Sequence, residues 1–157
     1  MKKLHFALVG YGKHGKRWYG VLGNSLMGIV GPTNGISLKT VLNSEMVDAV
    51  LIVTPHKYHA SITRQALEAG KHVLCEKPGG ITAKEIKKNI DLAKEKRLVY
   101  KIGYNYRFHD GFIKARKLYE QGKIGDLLFI RAVHGFGGRP GYEKEWRLNK
   151  KMSGGGH

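Results

Sequence analysis

Three glycines occupy the first, third and sixth places of Gly10-Tyr11-Gly12-Lys13-His14-Gly15. They follow at once on the apolar run Leu4-His5-Phe6-Ala7-Leu8-Val9 and precede a helical stretch from Lys16 to about Leu22. In a strand that turns tightly into a helix, the first glycine permits the turn and the second leaves no side chain between backbone and a pyrophosphate. The third lets helix and strand pack closely, and the helix N-terminus faces the phosphate charge. The pattern predicts a dinucleotide-binding unit, with a glycine-rich structural turn as the alternative.

The rest of the chain repeats the alternation. Leu26 to Val30 reads as a second strand, and Gly31-Pro32-Thr33-Asn34-Gly35 as a turn. Residues 37–44 allow one or two helical turns before Asp48, and Ala49-Val50-Leu51-Ile52-Val53 is the continuous apolar run of a strand covered on both faces. Ala60 to Ala69 is a helix closed by Gly70, and His72 to Cys75 is a strand. Thr82 with Glu85 three residues on is a capping box opening a helix to about Arg97, with Ile86, Ile90 and Ala93 on one face. Leu98 to Ile102 is a strand, Gly111 to Gln121 a helix, and Leu127 to Val133 is strand-like. The expected fold is α/β: a Rossmann-like, doubly wound parallel sheet over residues 1–122, followed by an incomplete α/β second domain over 123–157. The region 31–48 is too short for the usual helix and third strand, so the first domain is expected to be internally shortened.

Charge narrows the partners only a little. Among 157 residues, 28 Lys and Arg oppose 12 Asp and Glu, a formal +16. The excess is spread along the chain and should attract anions, but no zinc-finger spacing, leucine zipper or run of consecutive basic residues accompanies it. Nucleic acid is therefore expected only as a non-specific partner. The single cysteine cannot form an internal disulfide. No apolar stretch approaches the roughly 20 residues of a membrane span, and the amino end reads as a strand, not a signal peptide, so a cytoplasmic location is expected.

Ligands of a doubly wound sheet lie beyond the carboxyl ends of its strands. The second strand ends at Gly31, where a carboxylate would grip the ribose of NAD, and Thr33 and Asn34 could donate to a 2′-phosphate. NADP is slightly favoured over NAD. Three loops share the edge: Thr54 to His59, Glu76 to Pro78, and Gly103 to Arg107. Lys77, at a strand end and directed by Pro78, can hydrogen-bond a substrate hydroxyl and stabilise developing alkoxide charge. His14, His56, His59, His72 and His109 are scattered, without metal-ligand spacing. Cys75 reads as a buried, inert thiol.

The glycine loop, Asp48-Ala49-Val50-Leu51-Ile52-Val53-Thr54-Pro55, His59, the block from Ala66 through Gly70-Lys71-His72-Val73-Leu74-Cys75-Glu76-Lys77-Pro78, and Gly103-Tyr104-Asn105-Tyr106-Arg107-Phe108 resemble the Gfo/Idh/MocA oxidoreductase family. Gly122-Lys123-Ile124-Gly125-Asp126-Leu127, Trp146-Arg147 and Ser153-Gly154-Gly155-Gly156 resemble later segments of it. The resemblance implies a Rossmann domain, a carboxy-terminal α/β domain with a large open sheet, and hydride transfer between NAD(P) and a hydroxyl-bearing carbon of a sugar, polyol or nucleotide-sugar. Gly10, Tyr11, Gly12, Lys13, His14, Gly15, Thr33, Asn34, Thr54, Pro55, His59, Glu76 and Lys77 would bind cofactor. Lys77 would be catalytic, and Asn105, Arg107, Trp146 and Arg147 would join it in holding substrate. The segment Gly138-Arg139-Pro140-Gly141 with Glu145-Trp146-Arg147 looks most like members serving surface-sugar biosynthesis.

The family's catalytic aspartate and histidine follow the triple glycine by several residues. Here His157 comes immediately after Gly156, at the wrong offset, and is read as incidental. Three expectations follow: a shortened enzyme with weak or no turnover, a stretch of a longer enzyme, or a basic nucleotide-, nucleic-acid- or protein-binding module on the same scaffold. Open strand edges would favour a homo-oligomer.

Overall fold

The computed structural model describes residues 3–33, 36–133, 135 and 140–155. Among these, β1 (Phe6–Val9), β2 (Leu26–Val30), β3 (Ala49–Ile52), β4 (His72–Cys75) and β5 (Tyr100–Ile102) form one sheet in the order β2-β1-β3-β4-β5. Every pairing is parallel. The order reverses between β1 and β3, which opens a crevice at their carboxyl ends.

Helices α1 (Lys13–Leu22), α2 (Leu38–Asn43), α3 (His59–Glu68) and α4 (Ala83–Glu95) make the crossovers. Leu8, Val50, Leu51, Ile52 and Leu67 are completely buried, and all four residues of β3 are inside. Burying each such aliphatic side chain is worth about 1.5–3 kcal/mol. Val50, Ile52, Val73 and Cys75 pack with Ala66 and Leu67 of α3 and Ala93 of α4 in one cluster. Between α3 and α4, buried Asn89 donates Nδ2–H to the Ala60 carbonyl at 2.9 Å, so its polar head is satisfied inside.

The register sets the functional edge. Val9 lies opposite Val30 and Ile52, Ile52 opposite Cys75, and Cys75 opposite Ile102. The five strands therefore end level in one row, and the loops beginning at Gly10, Gly31, Val53, Glu76 and Gly103 leave from a common rim.

Local sequence signals explain several boundaries. The Thr82–Glu85 capping box is present in both directions, with Glu85 N–H to Thr82 Oγ1 at 3.2 Å and Thr82 N–H to Glu85 Oε2 at 3.0 Å. Helix α1 starts at Lys13 instead of the expected Lys16, because Gly12 has extended backbone and serves as its N-cap. On α4 the inward face is Ile86, Asn89, Leu92 and Ala93, while Ile90 is 39% exposed, contrary to the expectation from periodicity.

The chain divides into two compact units, Met1–Gly103 with Lys144–His157, and Tyr104–Glu143. The first unit holds the sheet together with α6 (Lys150–Ser153), which follows the short 3-10 turn Trp146–Leu148. The second holds a 3-10 turn at Asn105–Phe108 and α5 (Asp110–Glu120), whose N-cap His109 accepts from the Gly111 N–H through Nδ1 at 3.3 Å. The strand expected at Leu127 to Val133 is not formed. Leu128, Phe129, Ile130 and Val133 are between 77% and 88% exposed. A strand needs a ladder partner for its backbone groups, and no described residue pairs with this segment. The described residues of the second unit thus include no strand, and residues 144–155, expected in a second domain, lie in the unit that holds the sheet.

Candidate functional site

The glycine loop is shaped by two contacts that allow no side chain. Gly10 has φ +102°, and a Cβ on it would stand 2.9 Å from the backbone C and O of Val53. A Cβ on Gly15 would fall 2.2 Å from the Gly10 carbonyl oxygen. The start of α1 is thereby drawn against the ends of β1 and β3. Gly12 differs: nothing lies within 4 Å of its Cβ position, and no side chain caps the helix there. The N-terminal end of α1 thus has no side-chain cap and has open space beside Gly12, features of helix starts that receive a phosphate.

Glu76 fastens this loop to the next strand. Its Oε1 accepts from His14 Nε2 at 2.8 Å and from Trp18 Nε1 at 3.1 Å, and its Oε2 accepts from the Lys77 N–H at 3.3 Å. Burial alone would raise the Glu76 carboxyl, but the hydrogen bonds from His14 and Trp18, the charge of His14 and the Lys77 amide together hold it below the ordinary glutamate range. Trp18 carries no sequence signal of this role beyond its place one turn after His14 on α1.

Lys77 is exposed at the rim, and the Lys77–Pro78 peptide is cis. Beyond it, His56 stands edge-on to Trp146, ring centroids 4.7 Å apart, and its Nδ1 lies 3.0 Å from the Ser153 carbonyl. Arg147 lies over the same Trp146 ring at 4.7 Å and donates Nη1–H to Glu145 Oε2 at 2.8 Å. Burial, opposed by the Ser153 hydrogen bond and joined by the neighbouring His59, Lys77 and Arg147, lowers the His56 pKa. The ring is neutral at pH 7 and donates to Ser153. The residues expected to bind substrate in this unit, Lys77, Trp146 and Arg147, are therefore gathered around His56, which its sequence spacing does not single out.

Other expected residues fall as follows. Tyr11 lies 3.6 Å from the Cβ position of Gly31, so the end of β2 borders the glycine loop, and the described part of that turn carries no carboxylate. Thr33 is exposed there; Asn34 lies outside the described residues, as do Gly138, Arg139, Gly156 and His157. Lys13 and His14 are exposed on the first turn of α1. Thr54 and Pro55 lead out of β3, and Thr54 Oγ1 is buried without a hydrogen-bond partner. His59 is 1% exposed, and its ring nitrogens face the Pro78 and Thr54 carbonyls, so it supports the rim from behind instead of lining it. Asn105 and Arg107 belong to the second unit, where Arg107 stands 5.8 Å from the Phe108 ring centroid. Cys75 is fully buried, donates weakly to the Glu76 carbonyl, and burial pushes its thiol up to about 12. No group of three or more metal-ligating side chains occurs among the described residues.

The open Gly12 surface, the clash-limited Gly10 and Gly15, and the unpartnered Thr54 hydroxyl together fit a nicotinamide dinucleotide laid across the crevice. Residues 32–104 match the family model "Oxidoreductase family, NAD-binding Rossmann fold", and residues 112–157 match "GFO/IDH/MocA C-terminal domain". The chain belongs to the Gfo/Idh/MocA oxidoreductase family. Levoglucosan dehydrogenase of Pseudarthrobacter phenanthrenivorans is 34% identical over 120 residues, 75% of this chain and 31% of that protein. The crystal structure of an NAD-binding protein from Listeria innocua superposes with a TM-score of 0.66 at 31% identity, covering 80% of this chain and 42% of that one. Scyllo-inositol dehydrogenase of Lactobacillus casei, solved with bound NAD(H) and scyllo-inositol, gives a TM-score of 0.65 at 25% identity over 80% of this chain and 43% of that one. This Gfo/Idh/MocA chain spans about a third of the length of the curated relatives it matches. Among the described residues no helix is long and apolar enough to cross a membrane.

Proposed function

We infer that the chain carries the cofactor half of an NAD(P)-dependent oxidoreductase acting on a hydroxyl-bearing carbon of a sugar, polyol or nucleotide-sugar. The observation that carries this reading is Glu76. Through His14 and Trp18 it anchors the glycine-loop helix to the strand end that presents Lys77, so the cofactor cradle and the candidate catalytic lysine are set on one rim.

A bound nicotinamide supplies or accepts hydride; the residues of this chain bind, orient and manage charge. The N–H groups at the start of α1 and the bare backbone at Gly12 receive the pyrophosphate. Tyr11 and the turn after β2 border the adenosine side, and the absence of a carboxylate in the described part of that turn favours NADP slightly over NAD. Thr54 Oγ1 offers a hydroxyl to the cofactor at the end of β3. Lys77 hydrogen-bonds the reacting hydroxyl and stabilises the charge that develops on its oxygen. His56, Trp146 and Arg147 form the adjoining wall, with Arg147 held in place by Glu145 and the indole face.

The test is calorimetric titration of the full chain with NADPH and NADH, repeated on Lys77→Met. Micromolar binding that survives Lys77→Met, with hydride transfer from a sugar or polyol panel reduced about 10²–10⁴-fold by the substitution, is the expected result. Failure of the folded chain to bind either nucleotide overturns the reading.

A further inference from the structure

His59 opens α3, is 1% exposed, and touches two acceptors at short range. Its Nδ1 lies 2.6 Å from the Pro78 carbonyl oxygen and its Nε2 lies 2.7 Å from that of Thr54. Carbonyl oxygens only accept hydrogen bonds, whereas a neutral imidazole has a single N–H. In either neutral tautomer one ring lone pair would press against carbonyl lone pairs in a water-excluded place, where such repulsion is poorly screened. Both contacts are attractive only when both ring nitrogens carry hydrogen.

We propose that His59 is a double-donor imidazolium that clamps the end of β3 to the end of β4 and is the positioning residue for Lys77. The role assigned to Lys77 rests on the function proposed above; the clamp itself does not. One carbonyl belongs to the residue before Pro55 and the other to the residue after Lys77, so the ring fixes both rim loops at once. The cation faces unfavourable company at the N-terminal end of α3, whose dipole is positive, and Lys77 is the residue before its acceptor Pro78. The adjacent His56 ring, 5.5 Å away between centroids, is neutral and adds no charge. Two charge-assisted hydrogen bonds hold the proton in place, and such bonds are about twice as strong as neutral ones. Division of labour between neighbouring histidines follows, with His56 a neutral single donor to Ser153 and His59 a charged double donor.

The experiment is nitrogen NMR of the full chain with ring-labelled histidine near neutral pH, with His59 assigned by the resonance missing from His59→Gln. The expected signature is two protonated ring nitrogens, each with slowly exchanging hydrogen. A ring with one bare nitrogen overturns the clamp. Positioning is read in two ways. In the wild-type chain, raising the pH until the ring loses one proton should move the Lys77 backbone amide resonance in step; independent movement overturns the positioning role. In His59→Gln that remains folded, hydride transfer should fall at least tenfold while NADPH affinity stays within about threefold of wild type, as for Lys77→Met; unchanged hydride transfer overturns it as well. If the wild-type chain binds no NADPH, the proposed function fails, while the ring and amide resonances still decide the clamp.

Discussion

His14 Nε2 and Glu76 Oε1 stand 2.8 Å apart across 62 positions of sequence, joining the first turn of α1 to the end of β4. The contact links the part of the rim that receives phosphate to the part that presents Lys77. Because the Glu76 carboxylate is stabilised in the folded state, its contribution to stability is present above the unfolded value of about 4.3 and lost as pH falls through the lower folded value. Glu76→Gln should cost about 1–2 kcal/mol at pH 7, and the gap to wild type should close as the pH is lowered below about 4 in urea unfolding.

Gly12 and Gly15 should respond in opposite ways to alanine. Gly15→Ala puts a methyl 2.2 Å from the Gly10 carbonyl oxygen and should destabilise by about 1–3 kcal/mol, read by thermal unfolding. Gly12→Ala meets no atom within 4 Å and should change stability by less than about 1 kcal/mol. Its NADPH affinity should nevertheless drop at least tenfold, since the methyl fills the space left for phosphate.

His56 gives the molecule a second pH response, in the same direction as that of Glu76 but at higher pH. Its folded pKa is lowered, so the unfolded chain takes up a proton first as pH falls. Stability should be full above the unfolded value of about 6.5 and decline toward pH 5. His56→Gln should flatten that part of the stability curve, measured by denaturation at closely spaced pH values.

Cys75, with its thiol pushed up to about 12, should resist iodoacetamide at pH 8 in the folded chain. Labelling should become rapid only in denaturant, which mass measurement will show.

Thr82→Ala removes the hydroxyl that accepts from the Glu85 N–H at 3.2 Å, and should cost about 1 kcal/mol by chemical denaturation with no effect on nucleotide binding.

The parts of this molecule that could be read from sequence are those decided locally. Ala49 to Ile52 announces a central strand because nothing but aliphatic residues can fill a position covered on both faces. Thr82 and Glu85 announce their capping box because both partners lie within one turn. Ile90 misled because helical period alone cannot tell which flank of an apolar stripe meets the sheet; Asn89 goes inside instead, satisfied by a carbonyl 29 positions away. The segment Leu127 to Val133 has strand composition but no ladder partner among the described residues, and composition alone does not supply one. The meeting of His56 with Trp146 and Ser153 depends on a chain reversal 97 positions long, invisible to any window of sequence. The doubly bonded state of His59 could not have been read either, since both acceptors are backbone atoms.

The level row formed by Val30, Val9, Ile52, Cys75 and Ile102 bears on how such a domain tolerates loss. β2 is the outermost strand on its side, and after it Ile36 forms an isolated parallel bridge with Val30. Loss at that margin would trim the fabric from its hem: the remaining threads would keep their alignment, and the rim that carries Gly10, Thr54 and Lys77 would stay in register. A loss between β1 and β3 would instead separate the glycine loop from its seat on Val53.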